Sequence, residues 1–208
     1  MSVLLPNLGR LTFEAEGNEK GPYHSRILHV PSPFSGLTLG RGYDMKNKTA
    51  FKINQDLIKA GLKPTDAKTL SRAAGLFGTS AKNFISNEKL GNFEITHQQQ
   101  VKLFEITYKE EESETKRLCM KSDVTARYGK CNWQKIHPAI KQLLVDLKFR
   151  GDYTGGTRKF IQQHVVANDP TGFLNALSNK SNWTKQRVPR DRFQQRIEFF
   201  KNSIKNTP

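Results

Sequence analysis

The sequence lacks the features that would cross-link a small fold or anchor it in a membrane. It contains only two cysteines, Cys119 and Cys131, and no CxxC motif, which excludes a cysteine-based zinc site. No run of about 18 apolar residues occurs, so no transmembrane helix is predicted. The opening stretch MSVLLPNLGR has too short an apolar run and no small-residue cleavage site for a secretory signal. A chain of this length can instead fold on an apolar core alone.

The two cysteines leave two interpretations open. They are either separate thiols, buried or partly exposed, or a disulfide that closes a loop in an oxidising compartment. Their number and spacing do not decide between these states.

Acidic residues are also scarce, with 19 Asp and Glu against 34 Lys and Arg and a formal net charge of +15. Such a charge attracts polyanions and draws anionic substrates toward a cleft. Nucleic acid, an anionic membrane and the acidic bacterial envelope all fit it, and the charge alone favours nucleic acid. However, the basic residues are spread along the chain, and no zinc-finger, RNP-type or helix-turn-helix pattern occurs.

What the sequence does contain is enough apolar material for a packed core. Hydrophobic residues make up 36% of the chain and include 13 Phe. We predict one domain over residues 1–208 of the α+β class, mainly α, with two lobes. The first lobe, residues 1–60, is predicted to hold a small β-hairpin, because HSRILHV and SGLTLGRGY place β-branched and aromatic residues among turn formers. The second lobe, residues 61–208, is predicted to be helical.

Local signals indicate where several helices begin and end. Gly61 is predicted to end one helix and Pro64 to begin the next. The longest helix is expected after Thr96. The most clearly defined one begins at Pro138, where apolar residues then recur at helical spacing. Four more helices are predicted in the segments SAKNFI, RKFIQQHVV, TGFLNALSN and RDRFQQRIEFFKNSI.

Carboxylates and a hydroxyl near the start of the chain are candidates for hydrolytic chemistry. Cleavage of a glycosidic bond needs a carboxylic acid to protonate the leaving oxygen and usually a second group to activate water or stabilise positive charge. Glu14, Glu16 and Glu19 precede the turn TLGRGYD, which Thr38 and Asp44 bracket. A Gly-rich turn lets the backbone approach a ligand closely. By themselves, these residues are better explained as solvated surface and a tight turn than as a site.

The segments AEG and SGLTLGRGYDM resemble the active-site region of the phage-type lysozymes. The resemblance is closer to their pesticin-like branch, where a Glu-Gly pair is followed by a Thr-x-Gly-x-Gly hairpin and the Asp follows the Thr by six residues. Here Asp44 lies six residues after Thr38, and no Asp precedes Thr38. The segments LLVDLKFRGDYTGGTRKFIQQH and SNWTKQRVPRDRFQQRIEFF are similar to the C-terminal lobe of that family. The resemblance thus implies a lysozyme-like two-lobed fold.

The resemblance implies a catalytic role for each matching residue. Glu16 would be the general acid, with Glu14 as the alternative. Asp44 would stay ionised, either as general base for water or as electrostatic partner of the oxocarbenium-like state. Thr38 would position the attacking water. Whether the reaction inverts or retains the anomeric configuration is left open.

Four further residues are expected to bind substrate. Tyr43 and Arg41 flank the hairpin turn, and one of the two is expected to pack inward because alternate strand residues face opposite sides. By the resemblance, Tyr153 and Thr157 would line the far side of the cleft. Trp183 is interpreted as a core residue rather than a platform for a sugar.

The activity implied by the resemblance is that of a muramidase, or lysozyme. It would cleave the β-1,4 bond between N-acetylmuramic acid and N-acetylglucosamine in peptidoglycan, with neither a metal nor an organic cofactor. Three alternatives remain: a nucleic-acid-binding protein, a lytic transglycosylase that uses a Glu alone, and a wall-binding module without catalysis.

The apparent lack of an export signal leads to an expectation about delivery. The chain would be made in the cytoplasm and carried, as the toxic domain of an antibacterial effector, by a route such as type VI secretion into the periplasm of a rival bacterium. A phage endolysin is the other route. An immunity protein is the expected partner of a monomeric domain that neither binds nucleic acid nor inserts stably into a membrane.

Overall fold

A computed structural model describes residues 4–19 and 24–205. It is mainly helical with one small antiparallel sheet, which confirms the predicted α+β, mainly α class. The elements in chain order are α1 Arg10–Ala15, β1 Thr38–Leu39, β2 Tyr43–Asp44, α2 Ala50–Ala60, α3 Pro64–Ser71, α4 Gly78–Asn87, α5 His97–Cys119, α6 Ser122–Tyr128, α7 Pro138–Arg150, α8 Gly155–Val166, α9 Pro170–Ser178, a 3-10 helix Lys180–Gln186 and α10 Arg190–Lys205. Within the described ranges, no helix is long and apolar enough to cross a membrane.

The chain divides into two compact units, Met1–Thr107 (unit 1) and Tyr108–Pro208 (unit 2). This corrects the lobe boundary expected at residue 60. Helices α2 and α3 and the start of α5 share one apolar core with the hairpin, in which Leu39, Leu57 and Leu103 are all buried. A boundary at residue 60 would cut through that core.

The hairpin sets the geometry of unit 1. Thr38 pairs with Asp44, and Leu39 pairs with Tyr43. On the other side of β1, His29 forms an antiparallel bridge to Thr38, with reciprocal backbone hydrogen bonds of 2.8 and 3.1 Å. Since directly opposed residues point to the same side of a sheet, His29, Thr38 and Asp44 form a row on one face. Leu39 and Tyr43 lie on the other face, in the core.

Helix boundaries in unit 1 follow local capping chemistry. Helix α2 begins after Thr49, whose hydroxyl accepts a hydrogen bond from the amide of Lys52, at 3.2 Å. It ends at Gly61, which adopts a left-handed conformation with φ of 97°. Pro64 begins α3, where its missing N–H costs nothing. The predictions for Gly61 and Pro64 are therefore confirmed.

The core of unit 2 forms around α7, as the apolar spacing predicted. The stripe on this helix is completely buried and comprises Ile140, Leu143, Leu144 and Leu147. Trp183 is also buried, and its indole N–H donates to the carbonyl of Leu177 at 2.9 Å, which confirms the core interpretation.

Charged residues complete this core. Asp146 on α7 accepts hydrogen bonds from Arg192 and Arg196 on α10, each at 2.7 Å. Arg196 also donates to Asp152 at 2.8 Å, and Arg150 donates to the other oxygen of Asp152 at 2.6 Å. Because both carboxylates are paired on both oxygens, the network keeps its buried charges compensated.

Candidate functional site

A cleft of about 570 Å³ opens in unit 1. Its walls come from three places: Glu16 and Gly17 after α1, side chains of segment 24–31, and the hairpin residues Thr38, Gly40 and Gly42. The volume lies within the usual range of small-molecule sites. The cleft therefore gathers two of the three predicted catalytic residues, Glu16 and Thr38, although they lie 22 positions apart in the chain.

Glu16 follows directly on the last residue of α1. Its backbone N–H donates to the carbonyl of Phe13 at 3.4 Å, and its half-buried side chain lines the cleft. Glu14 lies instead on the exposed side of α1, where its carboxylate accepts from Arg10 at 2.8 Å. The structure thus places Glu16 at the cleft and Glu14 outside it.

The glycine after Glu16 is required by close packing. A Cβ added to Gly17 would lie 2.9 Å from Ser25 Cβ and 3.2 Å from Arg41 Cγ. Real Cβ atoms essentially never approach another heavy atom within 3 Å. The Glu-Gly pair therefore brings the chain next to Glu16 against the residues beneath the cleft, which no larger residue could do without displacing them.

Two further glycines shape the hairpin turn that forms another wall. Gly40 and Gly42 have φ values of 62° and 88°, in the region that favours glycine. Thr38, just before this turn, is buried, and its hydroxyl donates to the carbonyl of Gly36 at 3.2 Å. The hydroxyl oxygen of Thr38 retains lone pairs that can accept a hydrogen bond from water.

Asp44 lies in the same row as Thr38 but not among the residues that line the cleft. Its two carboxylate oxygens accept hydrogen bonds from the backbone amides of Gly36, at 3.1 Å, and Lys46, at 2.7 Å. A Cβ on Gly36 would collide with this carboxylate. Asp44 therefore closes the open end of the hairpin, and its negative charge lies beside Thr38.

Arg41 is buried beneath the cleft, which corrects the expectation that it contacts substrate. Its guanidinium donates to the carbonyl of Phe13 and, at 2.7 Å, to Glu19, and it lies 4.0 Å from the centre of the Phe13 ring. Gln100 donates to the same Glu19 oxygen at 2.7 Å. The turn between the two glycines points Arg41 inward, where it ties the hairpin to α1.

Partial burial raises the pKa of Glu19, but the hydrogen bonds and charge of Arg41 and the hydrogen bond from Gln100 outweigh it. The net effect holds the pKa of Glu19 below its ordinary value. A fixed negative charge therefore lies under the cleft beside Arg41.

Three other residues expected to bind substrate are also buried. Tyr43 is 1% exposed, and its hydroxyl donates to Asp56 at 2.9 Å. In unit 2, Tyr153 is 4% exposed and donates to Gln162 at 2.6 Å. Thr157 is fully buried, and its hydroxyl donates to a backbone carbonyl ahead of α8. These side chains serve the packing of their own units, so the predicted substrate contacts are wrong.

Two histidines also line the cleft, and neither was assigned a role from the sequence. His24 Nε2 lies 3.1 Å from a carboxylate oxygen of Glu94. His29 Nδ1 lies 2.9 Å from the carbonyl oxygen of Ile27. Since a carbonyl only accepts, Nδ1 of His29 carries the proton in this contact, and Nε2 is left as an acceptor. The strand-like pattern of HSRILHV was the only available signal, because the pairing of His29 with Thr38 is set by tertiary structure.

The described residues contain no group of three or more His, Cys, Asp or Glu side chains arranged to hold a metal ion. The chemistry that this cleft can perform with its own residues is proton transfer and hydrogen bonding. Glu16 can donate a proton, His29 can accept one, and Thr38 can orient a water molecule.

Comparison with known proteins gives a family but no activity. No curated protein matches the chain significantly. One family model, described as "Domain of unknown function (DUF8812)", matches residues 9–197. The matched stretch holds Glu16, the hairpin and the first half of α10. Because it covers most of the sequence, the chain belongs to the DUF8812 family.

Proposed function

We propose that this protein is a peptidoglycan hydrolase of the N-acetylmuramidase type, with Glu16 as its general acid. The observation that carries the proposal is the position of Glu16, which lines a cleft together with Thr38 and the glycines of the hairpin. A glycosidase needs a carboxyl group that reaches the scissile oxygen in such a cleft. The resemblance of the same residues to the pesticin-like lysozymes supports the choice of substrate.

In the proposed reaction, Glu16 donates its proton to the glycosidic oxygen as the bond to the anomeric carbon breaks. The positive charge that develops on the sugar is stabilised by the negative charge of Asp44. Both carboxylate oxygens of Asp44 already accept hydrogen bonds from backbone amides. We therefore favour stabilisation of positive charge over general-base catalysis as the role of Asp44. Thr38 accepts a hydrogen bond from the attacking water, and Nε2 of His29, opposite Thr38, takes the proton of that water.

The distribution of charge supports an anionic substrate. Unit 1 carries 14 Lys and Arg against 9 Asp and Glu, a net charge of +5, and unit 2 carries 20 against 10, a net charge of +10. Both would steer the chain toward the acidic bacterial wall. Nucleic acid would be attracted equally well, so the proposal rests on the cleft rather than on the charge.

Digestion of purified peptidoglycan, with the fragments resolved by mass spectrometry, tests the proposal. We expect the wild type to release fragments that end in reducing N-acetylmuramic acid. Loss of the general acid in Glu16→Gln should lower the rate about 10²- to 10⁴-fold. The matched control, Glu14→Gln, changes the same residue type outside the cleft and should retain full activity.

Each other outcome points to a different function or residue. Anhydro ends would identify a lytic transglycosylase, and inactivity of Glu14→Gln with an active Glu16→Gln would move the acid to Glu14. No release by the folded wild type would overturn the proposal and bring nucleic-acid binding forward. His29→Gln tests the base: it should lower activity strongly if His29 takes the proton of the water, whereas full activity of His29→Gln would return that role to Asp44.

The biological half of the proposal is an antibacterial toxin delivered by a secretion system and opposed by an immunity protein. Lysis of a bacterial host should then follow when the chain is directed to the periplasm and not when it stays in the cytoplasm. Glu16→Gln directed to the periplasm is the control, and lysis by this variant would contradict a toxicity that depends on wall cleavage.

A further inference from the structure

Unit 2 brings the only two cysteines of the chain together. Cys119 is the last residue of α5, and Cys131 lies in the segment that joins α6 to α7. Both are buried free thiols, and their side chains are hydrogen-bonded to each other. Of the two alternatives that the sequence left open, the structure therefore shows buried thiols, and it places them next to each other.

The two thiols differ in their surroundings. Cys131 lines a surface cleft of about 400 Å³ together with Lys130 and Trp133. Cys119 is fully buried, and its sulfur lies 3.0 Å from the hydroxyl of Tyr153. Cys131 is 2% exposed and lines the cleft, whereas Cys119 is completely buried and does not, so an oxidant in the cleft meets Cys131 first.

The pKa values of the two thiols also favour Cys131 as the more reactive cysteine. The hydrogen bond from Cys119 lowers the pKa of Cys131 to about 7, against the opposing effect of burial. The same contact, together with burial, raises the pKa of Cys119. Since the thiolate is the reactive form, Cys131 is the better nucleophile of the two near neutral pH.

We propose that Cys119 and Cys131 are a disulfide-forming pair in which Cys131 attacks first. The Cys131 thiolate attacks one sulfur of an external disulfide, either a small molecule such as oxidised glutathione or a protein disulfide, and the S–S bond breaks to release one thiolate. Cys119 then gives its proton to the released thiolate and attacks the Cys131 sulfur, which expels the second thiolate. Two cysteines are oxidised, and one external disulfide is reduced to two thiols.

The surrounding hydrogen bonds allow this oxidation. The Tyr153 hydroxyl donates to Gln162 at 2.6 Å and lies 3.0 Å from the sulfur of Cys119, whose own hydrogen is directed to Cys131. Oxidation removes that hydrogen but leaves the Tyr153 hydrogen bonded to Gln162. The disulfide would connect the end of α5 to the segment before α7 and close a 13-residue loop. Such a loop restricts the conformations of the unfolded chain and so stabilises the folded one.

Mass spectrometry of the native wild type after incubation with oxidised glutathione tests the pair. We expect loss of two hydrogens from the intact mass, a cross-linked peptide that contains Cys119 and Cys131, and a rise of several degrees in Tm that reducing agent reverses. Retention of both thiols, or a stable glutathione adduct without the cross-link, would overturn the proposal. These readouts do not depend on wall hydrolysis, so the pair and the proposed function can fail separately.

Single-cysteine variants test the order of attack. Cys119→Ser, which keeps Cys131, should form a glutathione adduct about tenfold faster than Cys131→Ser. Equal rates would contradict the assignment of Cys131 as attacker. If either variant fails to fold, brief alkylation of the reduced wild type replaces it, and Cys131 should be labelled before Cys119.

Discussion

Units 1 and 2 both bury arginine–carboxylate pairs, but they place them differently. In unit 2, Asp146 is fully buried and lies between two arginines of α10 in the middle of the core. In unit 1, Glu19 remains about one-third exposed, and its partner Arg41 touches the chain next to the cleft. The pairs of Asp146 join α7 to α10, whereas the pair of Arg41 and Glu19 supports the residues beneath the cleft.

The difference shows what each network stabilises. A fully buried carboxylate flanked by two arginines costs much to desolvate, and removal of either partner leaves an unpaired charge inside the protein. A pair with one partly exposed partner, such as Arg41–Glu19, costs less to desolvate and contributes less stability, because water screens it. We therefore expect damage to the Asp146 network to appear in stability and damage around Arg41 to appear in the cleft.

The largest effect should come from Asp146→Asn. Loss of this carboxylate charge leaves Arg192 and Arg196 undercompensated, and removal of one partner from a buried pair costs about 3–5 kcal/mol. Chemical denaturation followed by circular dichroism measures the change. The control is Asp123→Asn, because Asp123 is exposed with its partner Lys121 at 3.6 Å, and we expect a change within about 0.5 kcal/mol. Similar losses in both variants would remove the distinction between the networks.

A smaller loss of stability with a large loss of activity is expected for Gly17→Ala. The added methyl group must displace Ser25 or Arg41, and overpacking of this kind costs about 1–3 kcal/mol. Because Glu16 is the adjacent residue, wall hydrolysis should fall further than stability alone explains. Gly91→Ala is the matched control, since a Cβ at Gly91 would meet nothing within 4 Å. Unchanged hydrolysis by Gly17→Ala would show that the close packing of Gly17 against Ser25 and Arg41 does not position Glu16.

The smallest effect should be the pH dependence of Glu19→Gln. The folded-state pKa of Glu19 lies below its ordinary value of 4.5. Its contribution to stability is therefore present above that value and lost as the pH falls through the folded-state pKa. Urea denaturation from neutral pH to about pH 3 should show wild type and Glu19→Gln converging in acid. A stability difference that is independent of pH would mean that the charge of Glu19 is not what holds Arg41.

Much of the helical layout was predictable because helix ends depend on neighbouring residues. Gly61, Pro64 and Pro138 act within one turn of their own positions, so they could be read without tertiary information. Helices α1 and α6 were missed, because six and seven residues are too few to show an apolar period. The unit boundary was misplaced because it depends on which helices share the core of the hairpin.

The residues of the candidate site could be predicted only where they belong to a recognisable sequence motif. Glu16 and Thr38 were found through the Glu-Gly and Thr-x-Gly-x-Gly patterns, and both line the cleft. Arg41 and Tyr43 were misassigned because their partners, Glu19 and Asp56, are set by tertiary contacts. Strand alternation gave no guidance for Arg41, because it lies in a turn between two glycines with positive φ.

The closed hairpin has a consequence for how the cleft can adapt its width. One end is held by a turn of unusual backbone conformation, and the other by the Asp44 carboxylate on the amides of Gly36 and Lys46. A wall held at both ends keeps its shape, and its backbone pairing with His29 extends this support into segment 24–31. In the proposed hydrolase, selectivity among walls with different sugar modifications would then depend on which side chains of segment 24–31 line the cleft, rather than on movement of its backbone.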